Sequence, residues 1–290
     1  MTGTGLRELL AERSAPFAPG VYDGLSAALT RAAGFRVAYM SGAAVAASLG
    51  LPDIGLATQT EMTERAALIT RSLGLPLVAD ADTGFGDATH VYRTVRLYEQ
   101  AGVAGIQLED QEFPKRCGHL ENKRVIDAGE FAAKIEAAAE ARTDPGTVII
   151  ARTDARAGLG FDEAVRRVNL YAEAGADMVF LEAPQTLEEI MAVPSAVKVP
   201  ALFNLVIGGK TPPVTPARLR DAGYGLVILP GLNVHTAAHA MSAALDRAAA
   251  GDARTHDGDS PRGLFELVGL SFWEDLRERH QAPGTERGRA

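Results

Sequence analysis

The sequence holds one cysteine, Cys117, in 290 residues, so no disulfide can form within the chain. A lone thiol points to a reducing compartment and makes that residue worth following. There is no run of about 18 apolar residues, which excludes a helical membrane span. No basic run exceeds two residues, and 37 acidic side chains outnumber 29 basic ones. A net charge of −8 without a basic patch argues against nucleic acid as a partner. The opening segment, MTGTGLRELLAERSAPF, carries charge where a secretory signal needs an apolar centre. It reads instead as the first helix of a cytoplasmic protein. The histidines show no metal-ligand spacing, and neither G-x-S-x-G nor a P-loop occurs. Asp82–Thr83–Gly84–Phe85–Gly86 is too short for a dinucleotide fingerprint.

What is present is an ordinary globular composition, 47% hydrophobic and 23% charged, enough for a full core without covalent staples. Short continuous apolar runs occur at 17–23, 37–42, 76–82, 105–110, 147–154, 178–183, 201–205 and 225–231. Continuous rather than alternating runs fit strands buried on both faces. Helical patterns separate most of them, at 24–33, 61–73, 88–101, 127–142, 161–174, 186–193 and 215–222. Gly34, Gly102, Gly175 and Gly223 each follow an alanine closing a helical stretch, and each precedes an apolar run. Four copies of a helix, a glycine cap and a strand predict a (β/α)8 TIM barrel, with a doubly wound open sheet as the runner-up. The barrel is expected over 1–250. A polar linker and helical extension follow over 251–280, then a disordered tail over 281–290. The apolar residues Phe265, Leu267, Leu270, Phe272 and Trp273 exceed what a lone terminal helix needs.

In a parallel barrel, chemistry sits where strands end. Here the ends read Tyr22–Asp23, Ser41–Gly42, Asp80–Ala81–Asp82, Glu109–Asp110, Arg152–Thr153–Asp154, Glu182 and Asn204. Any one of these is as easily a solvated loop residue; converging on one rim, they are hard to dismiss together. Asp80 and Asp82 are two apart, so a strand would point both side chains the same way, unless they serve only to cap a helix near Gly86. With Glu109 and Asp53 they form an oxygen-rich set, which suits magnesium or manganese rather than zinc. Cys117 lies in Lys115–Arg116–Cys117–Gly118–His119, a polar loop over 110–127. Two cations and an imidazole beside a thiol are expected to lower its pKa, and Gly118 suits a loop that closes. Arg152 can clamp a carboxylate through two parallel bonds, and the amides of Ser41, Gly42 and Ala43 can hold another.

These blocks resemble the isocitrate lyase and phosphoenolpyruvate mutase superfamily along nearly the whole chain. KRCGH (115–119) is similar to the signature of the lyase branch. SGAAVAASLGLPDIG (41–55), DADTGFG (80–86), LEDQ (108–111) and ARTDA (151–155) are similar to its other blocks. PKRCGHLENKRVI (114–126) and GGKTP (208–212) look closest to methylisocitrate-lyase-like and carboxyphosphonoenolpyruvate-phosphonomutase-like members. The resemblance implies a barrel whose C-terminal helices are exchanged between subunits of a dimer or tetramer. It implies magnesium on Asp80, with Asp53, Asp82 and Glu109 holding it partly through water. Ser41, Gly42, Ala43 and Arg152 would hold a 2-oxo acid, with Tyr22 on the same rim. Cys117, with Lys115, Gly118 and His119, would form the catalytic gating loop, and Glu182 and Asn204 would line the pocket.

The implied reaction is cleavage of a carbon–carbon bond in a small 2-hydroxy di- or tricarboxylate, releasing a 2-oxo acid. Three departures narrow it. Ile207 stands where relatives often carry glutamate, His235 about where tricarboxylate lyases carry arginine, and Leu205 and Val206 are apolar. A buried distal carboxylate would lack partners, so an alkylmalate or oxaloacetate is favoured over methylisocitrate. Phosphorus–carbon bond chemistry, oxaloacetate decarboxylation or hydrolysis, and a non-enzymatic oxo-acid binder are the alternatives.

Overall fold

The structure, a computed structural model, describes residues 3–252 and 260–281. The chain divides into two compact units, Met1–Ala238 and His239–Ala290. In the first, eight parallel strands close into a barrel in chain order. They are β1 (Phe17–Val21), β2 (Ala38–Met40), β3 (Leu77–Asp80), β4 (Gly105–Glu109), β5 (Val148–Thr153), β6 (Met178–Leu181), β7 (Ala201–Asn204) and β8 (Leu226–Leu229). β1 pairs with β8 through Phe17↔Val227, Ala18↔Ile228 and Pro19↔Leu229, which completes the ring. The β4–β5 ladder, from Gly105↔Val148 to Glu109↔Arg152, sets a carboxylate beside a guanidinium at the strand ends. The open-sheet alternative is thereby set aside.

Tyr39, Val78, Ile150, Met178, Phe180, Leu202, Leu226 and Ile228 belong to one buried cluster formed mostly of strand residues. Helix Gly3–Ala11 adds Leu6 and Leu9 to it, and Leu6 packs against Gly105 at the start of β4. The chemistry is therefore left to the opposite end. A second layer packs helices on the outside, for example Met62, Ile69, Val91, Tyr98, Phe131 and Tyr171. Gly34, Gly102, Gly175 and Gly223 take φ of 81°, 84°, 112° and 96°, the left-handed conformation that ends each helix and aims the chain into the next strand.

Two short helices, Gly42–Ser48 and Arg156–Leu159, occupy strand ends that the sequence reading leaves as loop. The first is nucleated by Ser41, whose Oγ accepts from the Ala44 N–H at 3.3 Å, ahead of an alanine-rich run. Residues 261–280 form two helices, Pro261–Glu266 and Leu270–Arg279, rather than one. Gly269 at φ 90° breaks the pattern between them. Most of the expected linker and tail, 253–259 and 282–290, lies outside the described residues. Among the described residues no helix is long and apolar enough to cross a membrane.

Gly34 isolates the cost of the left-handed cap, because a Cβ there would meet nothing within 4 Å. Gly34→Ala should therefore destabilise by about 1–2 kcal/mol from backbone strain alone. Urea unfolding should show a lower midpoint with an unchanged m-value. An unchanged midpoint would mean the cap is not conformationally required.

Candidate active site

β3 ends on Asp80, which is held from three directions. Its Oδ1 accepts from Gln107 Nε2 at 3.1 Å and from the Asp82 N–H at 3.1 Å. Its Oδ2 accepts from the Gly42 N–H at 3.2 Å. Gln107, on β4, is itself fixed by the Tyr39 hydroxyl at 2.9 Å. Asp82 has already left the strand with φ 46°, so the same-side rule for residues two apart does not govern this pair. β4 ends on Glu109, whose Oε2 lies 3.3 Å from Arg152 Nη1 and whose Oε1 is buried without a hydrogen-bond partner. Arg152, near the end of β5, forks onto Asp154 through Nε at 2.8 Å and Nη2 at 3.0 Å. Glu182, just past β6, accepts from Asn204 Nδ2 at 3.2 Å.

The loop over 110–127 covers this floor. Lys115 is buried and pairs with Asp53 and with Asp82 Oδ1, the latter at 2.7 Å. The Cys117 N–H donates to the Asp53 carbonyl at 3.2 Å. Gly118 sits so close to the floor that a Cβ would lie 2.0 Å from Glu182 Oε1 and 2.5 Å from Arg152 Nη2. Only glycine permits that approach. His119 Nδ1 accepts from the Lys210 N–H at 3.2 Å, which assigns the proton of the neutral ring to Nε2. That nitrogen faces Glu182 Oε1 at 3.4 Å.

Burial dominates the electrostatics. It pushes the Asp82 carboxyl up to about 6, against the pull of Lys115, and raises Glu109 well above the ordinary carboxylate range. Asp154 is equally buried, yet Arg152 and Lys123 outweigh that and hold it at about 2. Burial also lowers His119. The expected thiolate at Cys117 is corrected: burial raises its pKa, opposed mainly by the His119 N–H. The reason is geometric, since Lys115 turns to Asp53 and Asp82 and Arg116 turns to the Glu121 carbonyl. Lys115 stands here as a counter-ion, because surrounding carboxylates hold its charge firmly.

A cavity of about 330 Å³ opens above these groups. Ser41, Ala43, Asp53, Asp80, Glu109, Lys115, Cys117, Gly118, His119, Arg152, Glu182, Asn204 and His235 all line it. Three expected residues do not. Gly42 spends its N–H on Asp80, and Asp82 lies behind Lys115. Tyr22 is half-buried against the outer core beside the cap of helix Gly24–Ala32, where Asp23 accepts from the Ser26 N–H at 2.7 Å. The expected apolar Val206 lines the cavity, and sequence reasoning missed Tyr39 and the other apolar wall residues, Ala44, Ala47, Ile228, Val234 and Ala238. Ile207 is 93% exposed and selects nothing in the cavity.

Residues 6–249 match the family described as phosphoenolpyruvate phosphomutase. The chain belongs to that family. Within the phosphoenolpyruvate phosphomutase family and its wider superfamily, it is 45% identical over 241 residues to 2,3-dimethylmalate lyase of Eubacterium barkeri, covering 83% of each chain. It is 49% identical over 228 residues to 2-methylisocitrate lyase of Aeropyrum pernix, covering 79% of this chain and 73% of that one. Among solved structures it is similar to phosphonopyruvate hydrolase in complex with oxalate and Mg²⁺, with a TM-score of 0.86 and 33% identity, covering 97% and 99% of the two chains. The chain is thus an enzyme of the superfamily's lyase type, as the KRCGH loop implies.

The donor chemistry of the floor fits a hard divalent cation. Glu109 Oε1 is orphaned, and two buried carboxyls are displaced upward, so the floor is short of positive charge. As they stand, however, no three His, Cys, Asp or Glu side chains among the described residues form a group that could hold a metal ion. The Lys115 ammonium lies against two of the four expected carboxylates, Asp53 and Asp82.

The raised thiol pKa has a direct readout. The rate of Cys117 alkylation by iodoacetamide should climb with pH through a midpoint above the ordinary thiol value of about 8.5. A plateau already reached below pH 8 would contradict the buried, protonated thiol.

Proposed function

We propose that the chain is a divalent-cation-dependent lyase that cleaves a small 2-hydroxy diacid bearing apolar substituents and releases a 2-oxo acid. One observation carries the reading: the cavity pairs one buried, fixed guanidinium, Arg152, with an apolar wall, while the other arginine that lines it, Arg116, is exposed and donates Nη1 to the Glu121 carbonyl at 3.3 Å. Arg152 is pinned by Asp154 and presents its remaining edge beside Glu109 and Glu182, where one substrate carboxylate can dock. The far wall offers alanine and valine side chains and His235, with no arginine for a further carboxylate. Alkylmalates suit that division, and a tricarboxylate does not.

Asp80, Asp82, Asp53 and Glu109 would hold magnesium or manganese, with Lys115 giving up its carboxylates. When bound, the ion supplies positive charge beside the substrate's hydroxyl and carboxylate oxygens. This chain's own residues do the rest. Arg152 orients the retained carboxylate, Gly118 lets the loop close directly on the floor, and the loop excludes water. A floor carboxylate takes the substrate hydroxyl proton, the oxygen's electron pair forms the C=O of the 2-oxo acid, and the broken carbon–carbon bond leaves its electron pair on the carbon next to the departing carboxylate. Cys117, which keeps its proton at neutral pH, is the acid that protonates it. The raised pKa thus serves the role better than the expected thiolate.

A panel of 2-hydroxy and 2-oxo diacids, assayed for keto-acid release with magnesium, tests this reading. Branched malates should lead, EDTA should abolish turnover, and magnesium or manganese should restore it. Cys117→Ser should lower kcat at least about a hundredfold with little change in KM. Near-normal turnover of that variant, activity without metal, or preferred release of phosphonate-derived phosphate would each overturn it.

The second unit supports a companion proposal, a homodimer or homotetramer. Its helices leave Leu264, Phe265, Phe272 and Trp273 at least half exposed. We assign these to packing on a second copy of the chain. Light scattering should show an oligomer for the intact chain and smaller, aggregation-prone species after truncation at residue 258. A monomeric intact chain would refute it.

A further inference from the structure

We propose that Lys123 docks the loop over 110–127, and that Asp154 is the shared anion joining that docking to the orientation of Arg152. The inference rests on the reading above, in which the loop carries the acid Cys117. Lys123 Nζ lies 2.6 Å from Asp154 Oδ1, with the two side chains 2% and 0% exposed. The same Oδ1 accepts from Arg152 Nη2 at 3.0 Å, and Oδ2 accepts from Arg152 Nε at 2.8 Å. One carboxylate therefore bridges a cation of the loop and a cation of the substrate floor.

Asp154 is not free to follow either partner. Its N–H donates to Asp110 Oδ1 at 2.9 Å. Asp110 Oδ2 is in turn held by the Thr153 hydroxyl at 2.6 Å, the Tyr171 hydroxyl at 2.8 Å and Arg167 Nη1 at 3.2 Å. Asp154 is thus a fixed post, and the loop comes to it. Around Lys123 the loop is a surface segment, with Arg124 79% and Glu121 78% exposed. The base of the loop is tied by backbone bonds from the Glu112 N–H to the Arg124 carbonyl and from the Ile126 N–H to the Asp110 carbonyl, both at 2.9 Å, so the pair governs the span between them, where a buried ammonium persists only while paired.

Lys115 also ties the loop down, but on Asp53 and Asp82, which belong to the proposed cation ligands. That tether yields when a cation claims those carboxylates. Lys123 engages a carboxylate outside the set and remains. Docking by Lys123 is then the part of closure compatible with a loaded site, and it leaves Arg152 in its bidentate grip.

Cys117 is the chain's one cysteine, so its alkylation reports loop opening without any turnover. Lys123→Met keeps the aliphatic stem and removes the charge. Iodoacetamide should label this variant about tenfold faster than wild type at one pH, the shift expected when a buried pair holding the closed state is lost. Lys123→Arg should stay within about threefold of wild type, because the charge is retained. In an Asp154→Asn background, adding Lys123→Met should change the rate by less than about twofold, since the shared anion is already gone. Wild-type labelling of Lys123→Met overturns the proposal. So does a tenfold effect that persists without Asp154, or Lys123→Arg labelling as fast as Lys123→Met. If Asp154→Asn does not fold, the Met and Arg variants decide alone. Failure of the substrate panel with these labelling results intact would overturn the proposed reaction and leave the docking standing.

Discussion

Burying carboxylates at the ends of β3 to β6 is the constraint on which the rest of this structure depends. Asp80, Asp82, Glu109, Asp154 and Glu182 are all at most 5% exposed. Their mutual repulsion and lost hydration must be offset by cations, or the groups take up protons. The barrel itself supplies Arg152. The remaining cations, Lys115 and Lys123, come from the loop over 110–127. The loop is therefore not merely a cover, because it brings two of these three cations. That explains how a largely polar, surface segment can lie on a buried site with apolar anchors only at its end, Val125 and Ile126.

The architecture was legible because its signals are repeated. Eight continuous apolar runs and four glycine caps are a period, and each was found as strand and left-handed cap. Asp80, Glu109, Arg152, Glu182 and Asn204 were legible for a related reason: topology alone gathers strand ends onto one rim. What could not be read was orientation. Tyr22 and Asp23 end an apolar run like the others, yet Asp23 spends its carboxylate on a helix cap. Asp82 sits two residues from Asp80, but a positive φ takes it off the strand's face. Neither a cap bond nor a backbone twist leaves a trace in spacing.

Cys117 shows how a correct neighbourhood can carry a wrong inference. Lys115, Arg116 and His119 are adjacent in sequence, and adjacency suggested a stabilised thiolate. In space the two cations turn to Asp53, Asp82 and the Glu121 carbonyl. The thiol is left with burial as its main influence. Lys123 was overlooked for the converse reason. It lies in a motif valued for its cysteine, and nothing local marks a lysine whose partner is 31 residues away.

The two-point grip of Asp154 on Arg152 has a stereochemical consequence. A guanidinium held along one edge cannot rotate in its own plane, so a carboxylate docked on the free edge has a fixed azimuth. On the proposed reading, Cys117 delivers its proton from the covering loop, and the barrel floor lies on the other side of the substrate. A planar carbanion formed between them has one face toward the thiol and the other toward the barrel floor. Protons delivered in this way arrive on a single face. On that reading, a product carbon that becomes stereogenic on protonation would be formed as one configuration, and heavy water would leave its deuterium on one side of that carbon.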